Sequence, residues 1–401
     1  MPAIFFVFLV ILLQRANTNM VQSINPLFVK YVLDKNLFYV GITTAVYAIS
    51  TLAVRYLISI RIKPQAISKF VILGLLLFSV SILGYFFSTN YYEFLLFVII
   101  SGFATAIIMP FLLSLVHLVS DKTVIEKNLT IYSLMLSLAL VFGPLLGSAI
   151  LSVLQIRYIY IMLCIFAVSA FFFAVKIHIK AKSAIKQKME SADNSGNTAD
   201  IVKSSVFALF KNRGFLEVIF YNTTFSIGFA SIVALGGVFA KDNFHTEYFE
   251  ITLLFSLFFI SSLITRLVLL YFTKKGNIKN KTKILNISIL ISVVSFVLMI
   301  LSKNIGFYAF SLIILGIPHA LIFPIGTMRI SEVVGMNDMV AANTIYQSNF
   351  DIGGIIGPFF LSYIGEIYSI RFVFEIIAVF LFLTFITGIY IKNKKIIKLK
   401  K

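Results

Sequence analysis

Stretches of about 20 mostly apolar residues recur from one end of this chain to the other, separated by short polar gaps. Each is long enough to cross the ~30 Å hydrocarbon core of a bilayer. In that solvent every backbone N–H and C=O must be paired within the protein, which leaves only helices and closed barrels. Barrel strands would appear as short segments of alternating hydrophobicity, a pattern this sequence lacks. Of the residues, 60% are hydrophobic and 12% charged, against roughly 25% charged in soluble domains. The sequence thus predicts an all-α polytopic membrane protein.

Apolar runs place spans near residues 4–29, 37–60, 67–88, 92–118, 129–152 and 156–175, then 215–240, 251–272, 284–302, 306–328, 340–364 and 370–391. Twelve spans put both termini on one side. Of the lysines and arginines, 24 fall in or beside the gaps and tail on that side and 6 on the other, with four arginines inside spans or at their ends. Because basic loops are retained in the cytoplasm, both termini are expected there, in a multi-pass protein of the cell (cytoplasmic) membrane. The opening "MPAIFFVFLVILL" lacks the basic start and small-residue cleavage site of a signal peptide, and reads as the first span. The net charge of +18 therefore lies in loops beside membrane lipid rather than on a nucleic-acid-binding domain. The expected organisation is an N-terminal six-helix bundle (1–175), a polar cytoplasmic linker (176–214), a C-terminal six-helix bundle (215–391) and a basic tail (392–401).

The two halves repeat. "AISTLAVR" (48–55) aligns with "FISSLITR" (259–266), which superposes Arg55 and Arg266 near span ends. "GFATAIIMPFLLSLV" (102–116) aligns with "GIPHALIFPIGTMRI" (316–330), and "FGPLLGS" (142–148) with "IGPFFLS" (356–362). The first match is offset by 211 positions and the other two by 214. Gly143 and Pro144, with Gly147 one turn on, thus correspond to Gly357 and Pro358. Glycine permits close helix approach and proline bends a helix, so these positions are expected to act as hinges and packing surfaces.

Twelve spans, a long loop after the sixth, parallel halves and "VFGPLLGS" in span five together resemble the major facilitator superfamily. "SINPLFVKYV" is similar to the proline-containing exit of that family's first helix. The resemblance implies the major facilitator fold, two pseudo-symmetric six-helix bundles rocking about a midplane cavity lined by spans one, four, seven and ten. It departs from the family in "RYLISIRIKPQAISK" (55–69), where Ser59 and Lys63 fall about where a glycine and an aspartate of the signature loop would be.

Polar side chains inside lipid are costly and turn towards a cavity or another helix. In span one, Arg15, Asn19, Gln22 and Pro26 share one helical face, so the first three are expected to line a substrate cavity. In span seven, Glu217, Tyr221, Thr224, Gly228 and Ser231 share a face; Tyr221 and Thr224 are cavity candidates, and Glu217 is either a salt-bridged gate residue or a proton carrier. His319 in span ten is either a cavity residue or a packed one. In span eleven Asn343, Gln347, Asp351 and Gly354 share a broad face, and Asp351 either exchanges protons during transport or is paired with a neighbour such as Arg266 or Arg329. Arg55 and Arg266 brace helix ends or gates.

No phosphate-cradling loop, nucleophile elbow or metal-ligand spacing is present in the sequence, so neither an enzyme nor a cofactor or bound metal is expected. The expectation is a monomeric secondary transporter of a small organic solute, exporting it in exchange for protons. The export direction rests on the resemblance of the Gly-Pro motif. Alternatives are a proton symporter or uniporter for a sugar or metabolite, and a non-transporting sensor or scaffold, which would not need polar stripes inside the membrane.

Overall fold

The computed structural model describes residues 2–59, 66–120, 124–193, 209–275, 278–335 and 338–399. Arg61, Lys63, Lys122, residues 194–208 of the expected linker and the last two lysines lie outside them. Among the described residues there is no strand, and twelve helices are long and apolar enough to cross a membrane. They are α1 (Ala3–Leu27, continued by a π-turn over Phe28–Val32), α2 (Leu37–Ser59), α3 (Ile67–Phe87), α4 (Tyr91–Val119), α5 (Ile125–Leu151) and α6 (Ile159–Asp193). The second set is α7 (Arg213–Phe244), α8 (Tyr248–Lys274), α9 (Lys281–Leu301), α10 (Ile305–Val333), α11 (Met339–Ile367) and α12 (Ile370–Leu399).

Two helices outrun their predicted spans by two turns or more. The sixth span ends near residue 175 by hydropathy, but α6 continues to Asp193, and α12 continues to Leu399. The extensions are rich in lysine, alanine and isoleucine; lysine and alanine are good helix formers, so nothing local stops the helix when the apolar run ends. The first part of the expected linker is therefore helical.

Contacts divide the chain into two units: Met1–Lys35 with Val46–Ile201, and Asn36–Ala45 with Val202–Lys401. The first turns of α2 are thus counted with the second unit. There the Leu37 N–H donates to Glu366 at the end of α11 at 2.7 Å, and Phe38 packs edge-on against Tyr363.

Each unit is built the same way. In the first, α1 packs on α5 and α6, and α3 on α4 and α6; in the second, α7 packs on α11 and α12, and α9 on α10 and α12. The glycines explain how the helices come so close. A methyl group on Gly143 would stand 2.6 Å from the Ala16 carbonyl oxygen of α1, and one on Gly357 2.5 Å from the Ile227 carbonyl oxygen of α7. A side chain at either position would force the helices apart.

The duplication also reaches an aromatic knot. Phe28, Phe94 and Tyr160 meet in the first unit, with Arg157 over the Phe28 ring at 5.1 Å and donating to the Ser88 carbonyl at 2.8 Å. Phe239, Tyr308 and Phe374 meet in the second, with Arg371 over the Phe239 ring at 6.0 Å and donating to the Ser302 carbonyl at 3.3 Å. Each residue of one knot lies 211 or 214 positions from its counterpart in the other. The cation satisfies carbonyls at a helix end and meets a negative ring face at once.

Candidate functional site

In the first unit, the span-one face is divided between packing and openness. Asn19 is buried, and its amide donates to the Leu140 carbonyl of α5 at 3.1 Å. That carbonyl needs the bond: four residues on stands Pro144, which has no N–H to donate. Asn17 likewise ties α1 to α6, donating to the Leu163 carbonyl at 2.8 Å. Pro26 is buried as well. Arg15 and Gln22 are only half-buried. Arg15 lies near the middle of the span Ala3–Val32, within electrostatic reach of Tyr47 on α2 and Tyr132 on α5. Arg15 and Gln22 thus keep part of their surface uncovered on this face, whereas Asn19 serves as a tie between helices.

In the second unit, two span-seven candidates are taken up by packing. Tyr221 is buried, donates to Asn286 of α9 at 3.3 Å and closes against Gly388 of α12. Thr224 is buried and bonds with Thr384 of α12 at 3.3 Å. Glu217 is buried within electrostatic reach of Tyr221, while Arg213, one turn before it, is exposed.

On α11, Ser226 of α7 donates to the Asn349 carbonyl at 3.0 Å, and Gly353 and Gly357 close on α7. These residues share one face. Asn343 and Asp351 are half-buried and Gln347 is exposed; the last two, one turn apart, lie on a different face from the glycines. Arg329, one of the partners considered for Asp351, forms an ion pair with Glu332 at 2.7 Å, and Lys281 pairs with the same carboxylate. Arg55 and Arg266 are both half-buried near the ends of α2 and α8.

His319 lies halfway along the span Ile305–Val333 and is half-buried. Its Nδ1 shares a hydrogen bond with the Ser262 hydroxyl of α8 at 2.9 Å, a contact that fixes the ring's orientation. Phe229 of α7 lies 4.7 Å from the imidazole, Phe258 5.0 Å and Phe259 5.7 Å, centre to centre. Among 43 phenylalanines these three do not stand out in the sequence. The one available signal was their place at the same span depth as His319. Among the described residues, no three His, Cys, Asp or Glu side chains gather as metal ligands do.

Comparison with known families decides the larger question: the sequence model of the Major Facilitator Superfamily matches residues 7–335 and 241–398. The chain belongs to the Major Facilitator Superfamily. As a facilitator it is a multi-pass membrane protein that transports a small-molecule solute, and members of this superfamily are generally not enzymes. Solved facilitator structures share its fold. The nucleoside transporter NupG aligns with a TM-score of 0.79 at 14% identity, covering 97% of this chain and 99% of that one. The peptide transporter POT in complex with sulfate aligns at 0.79 with 12% identity over 98% and 94% of the two chains. A bacterial homolog of the human lysosomal transporter Spinster aligns at 0.73 with 10% identity over 97% and 96%. Comparison with curated protein sequences returns no match.

Proposed function

We propose that this facilitator is a secondary active transporter of the cytoplasmic membrane, with cytoplasmic termini, that exports a small organic solute in exchange for protons by alternating access. The observation that carries the reading is the open polar face of α11. A helix with Gln347 exposed and Asp351 half-buried one turn away cannot present that face to lipid without cost. Such a face suits a path for water, protons or solute. Asp351 is the proposed coupling group, because a carboxylate whose surroundings change between two states gains and loses a proton as they change. Arg15 and Gln22 are the proposed solute contacts of the first unit. Export is supported by the similarity of "VFGPLLGS" to the exporters' fifth-helix motif, and the orientation by the lysine and arginine count.

The test uses purified chain in liposomes with an imposed pH gradient, an internal pH-sensitive dye and a panel of radiolabelled solutes. A transported solute should move protons the opposite way, and Asp351→Asn should abolish gradient-driven movement while leaving downhill exchange. Flux that ignores both the gradient and this substitution would overturn proton coupling. Proton movement in the same direction as the solute would make the protein a symporter.

A further inference from the structure

Arg15 is the charged side chain nearest the middle of any of the first six spans. A cation at that depth is costly unless something answers its charge. Across those six spans the sequence has one carboxylate, Glu93, which is exposed in the first turn of α4 and accepts from the Thr89 N–H at 2.9 Å. The groups within electrostatic reach of Arg15 are the uncharged phenols of Tyr47 and Tyr132. Among the described residues of its own unit, no acceptor takes a hydrogen bond from the guanidinium. Other arginines are spent: Arg157 and Arg371 on carbonyls at helix ends, Arg329 on Glu332.

The repeat shows that packing does not call for this cation. At the offsets of 211 and 214, the positions equivalent to Arg15, Tyr47 and Tyr132 are Ser226, Phe258 and Tyr346. Those three are buried. Ser226 donates to the Asn349 carbonyl at 3.0 Å and Tyr346 to the Ile322 carbonyl at 2.8 Å, so both polar groups join helices. In the first unit, Arg15, Tyr47 and Tyr132 are all half-buried. A place that the second unit seals thus keeps uncovered surface in the first, around a guanidinium. Gln22, two turns on along the same face, is half-buried as well.

We propose that Arg15 is the anion-binding group of a solute site and that the transported solute is an organic monocarboxylate. The planar fork of guanidinium N–H donors matches the two oxygens of a carboxylate, and one positive charge answers one negative charge. A phosphate monoester carries close to two negative charges at neutral pH, where this face offers one cation. An organic cation would be repelled, and a sugar would leave the guanidinium's charge unanswered. Gln22 is left to bond the neutral part of the solute. The inference rests on the transport reading and narrows its solute.

Isothermal titration calorimetry on the full-length chain in detergent tests it. Benzoate and butyrate are the carboxylate probes, with phenyl phosphate, benzylamine and benzyl alcohol as comparisons that keep the ring and change the head group. The carboxylates should bind in preference to all three. Arg15→Gln should weaken their binding about a hundredfold. Arg15→Lys, which keeps the charge but loses the fork, should weaken it about tenfold, and Arg213→Gln at an exposed helix end should change nothing. Benzoate should raise the unfolding midpoint of the parent chain and not that of Arg15→Gln. Without ligand, Arg15→Gln should unfold no earlier than the parent, because it removes a charge that its unit leaves unpaired; a clearly lower midpoint would make the guanidinium a structural group and overturn the proposal. Binding of neither carboxylate, carboxylate binding insensitive to Arg15→Gln, or a preference for any comparison compound would overturn it too. If Asp351-dependent flux in liposomes persists alongside such a result, the anion site alone falls. If carboxylates bind through Arg15 but no solute is moved, the transport reading falls.

Discussion

Pro144 removes the N–H that would have satisfied the Leu140 carbonyl, and Asn19, 121 positions away in the chain from that carbonyl, replaces it with a side-chain amide. In lipid no water can take over the bond. Asn19→Ala should therefore lower stability by about 2 kcal/mol, the cost of leaving a buried acceptor unpaired. In a Pro144→Ala background the same substitution should cost clearly less, because residue 144 can then donate to residue 140. Thermal unfolding in detergent reads both, and equal costs in the two backgrounds would refute the pairing. Helical spacing places Asn19 on a face with Arg15 and Gln22, but not what each residue on that face meets. Tyr221 and Thr224 make the same point, since their polar groups go to Asn286 and Thr384 inside the second unit.

At the scale of helices, the glycines set how close α5 and α11 come to α1 and α7. Gly143→Ala and Gly357→Ala should each destabilise by about 1–3 kcal/mol, because backbone rather than a flexible side-chain tip stands in the way. Gly335→Ala, with nothing within 4 Å of the added methyl, should stay near neutral. Unfolding midpoints of the three variants check this, and a neutral Gly143→Ala would refute the close approach. The positions of the helices were legible in the sequence because membrane thickness imposes a length on every span. Their ends were less so. Hydropathy marks where lipid stops, whereas α6 stops only at Asp193, because helix propensity outlasts the apolar run.

For the whole molecule, duplication and orientation are the two organising facts, the first observed and the second proposed. Orientation is testable because the chain has one cysteine, Cys164. In a Cys164→Ser background, Val153→Cys should react with a membrane-impermeant maleimide applied to intact cells, and Lys279→Cys only after permeabilisation. Both positions are exposed, so the reverse pattern would invert the proposed topology. The protein's class and its twelve spans can be read from residue order alone, because the bilayer penalises unpaired backbone and buried charge at every position alike, and the internal repeat shows as matching residues at nearly constant offsets. Those are one-dimensional signals. Which polar residues keep surface uncovered and which are spent joining helices depends on how the helices pack. Asn19 and Gln22, or Thr224 and His319, are indistinguishable as polar residues in greasy helices until the neighbouring helices are in place. The Gly-Pro stretch shows both halves of this: its recurrence is written in the sequence, but the distant amide that completes it becomes visible only once α1 and α5 are packed together.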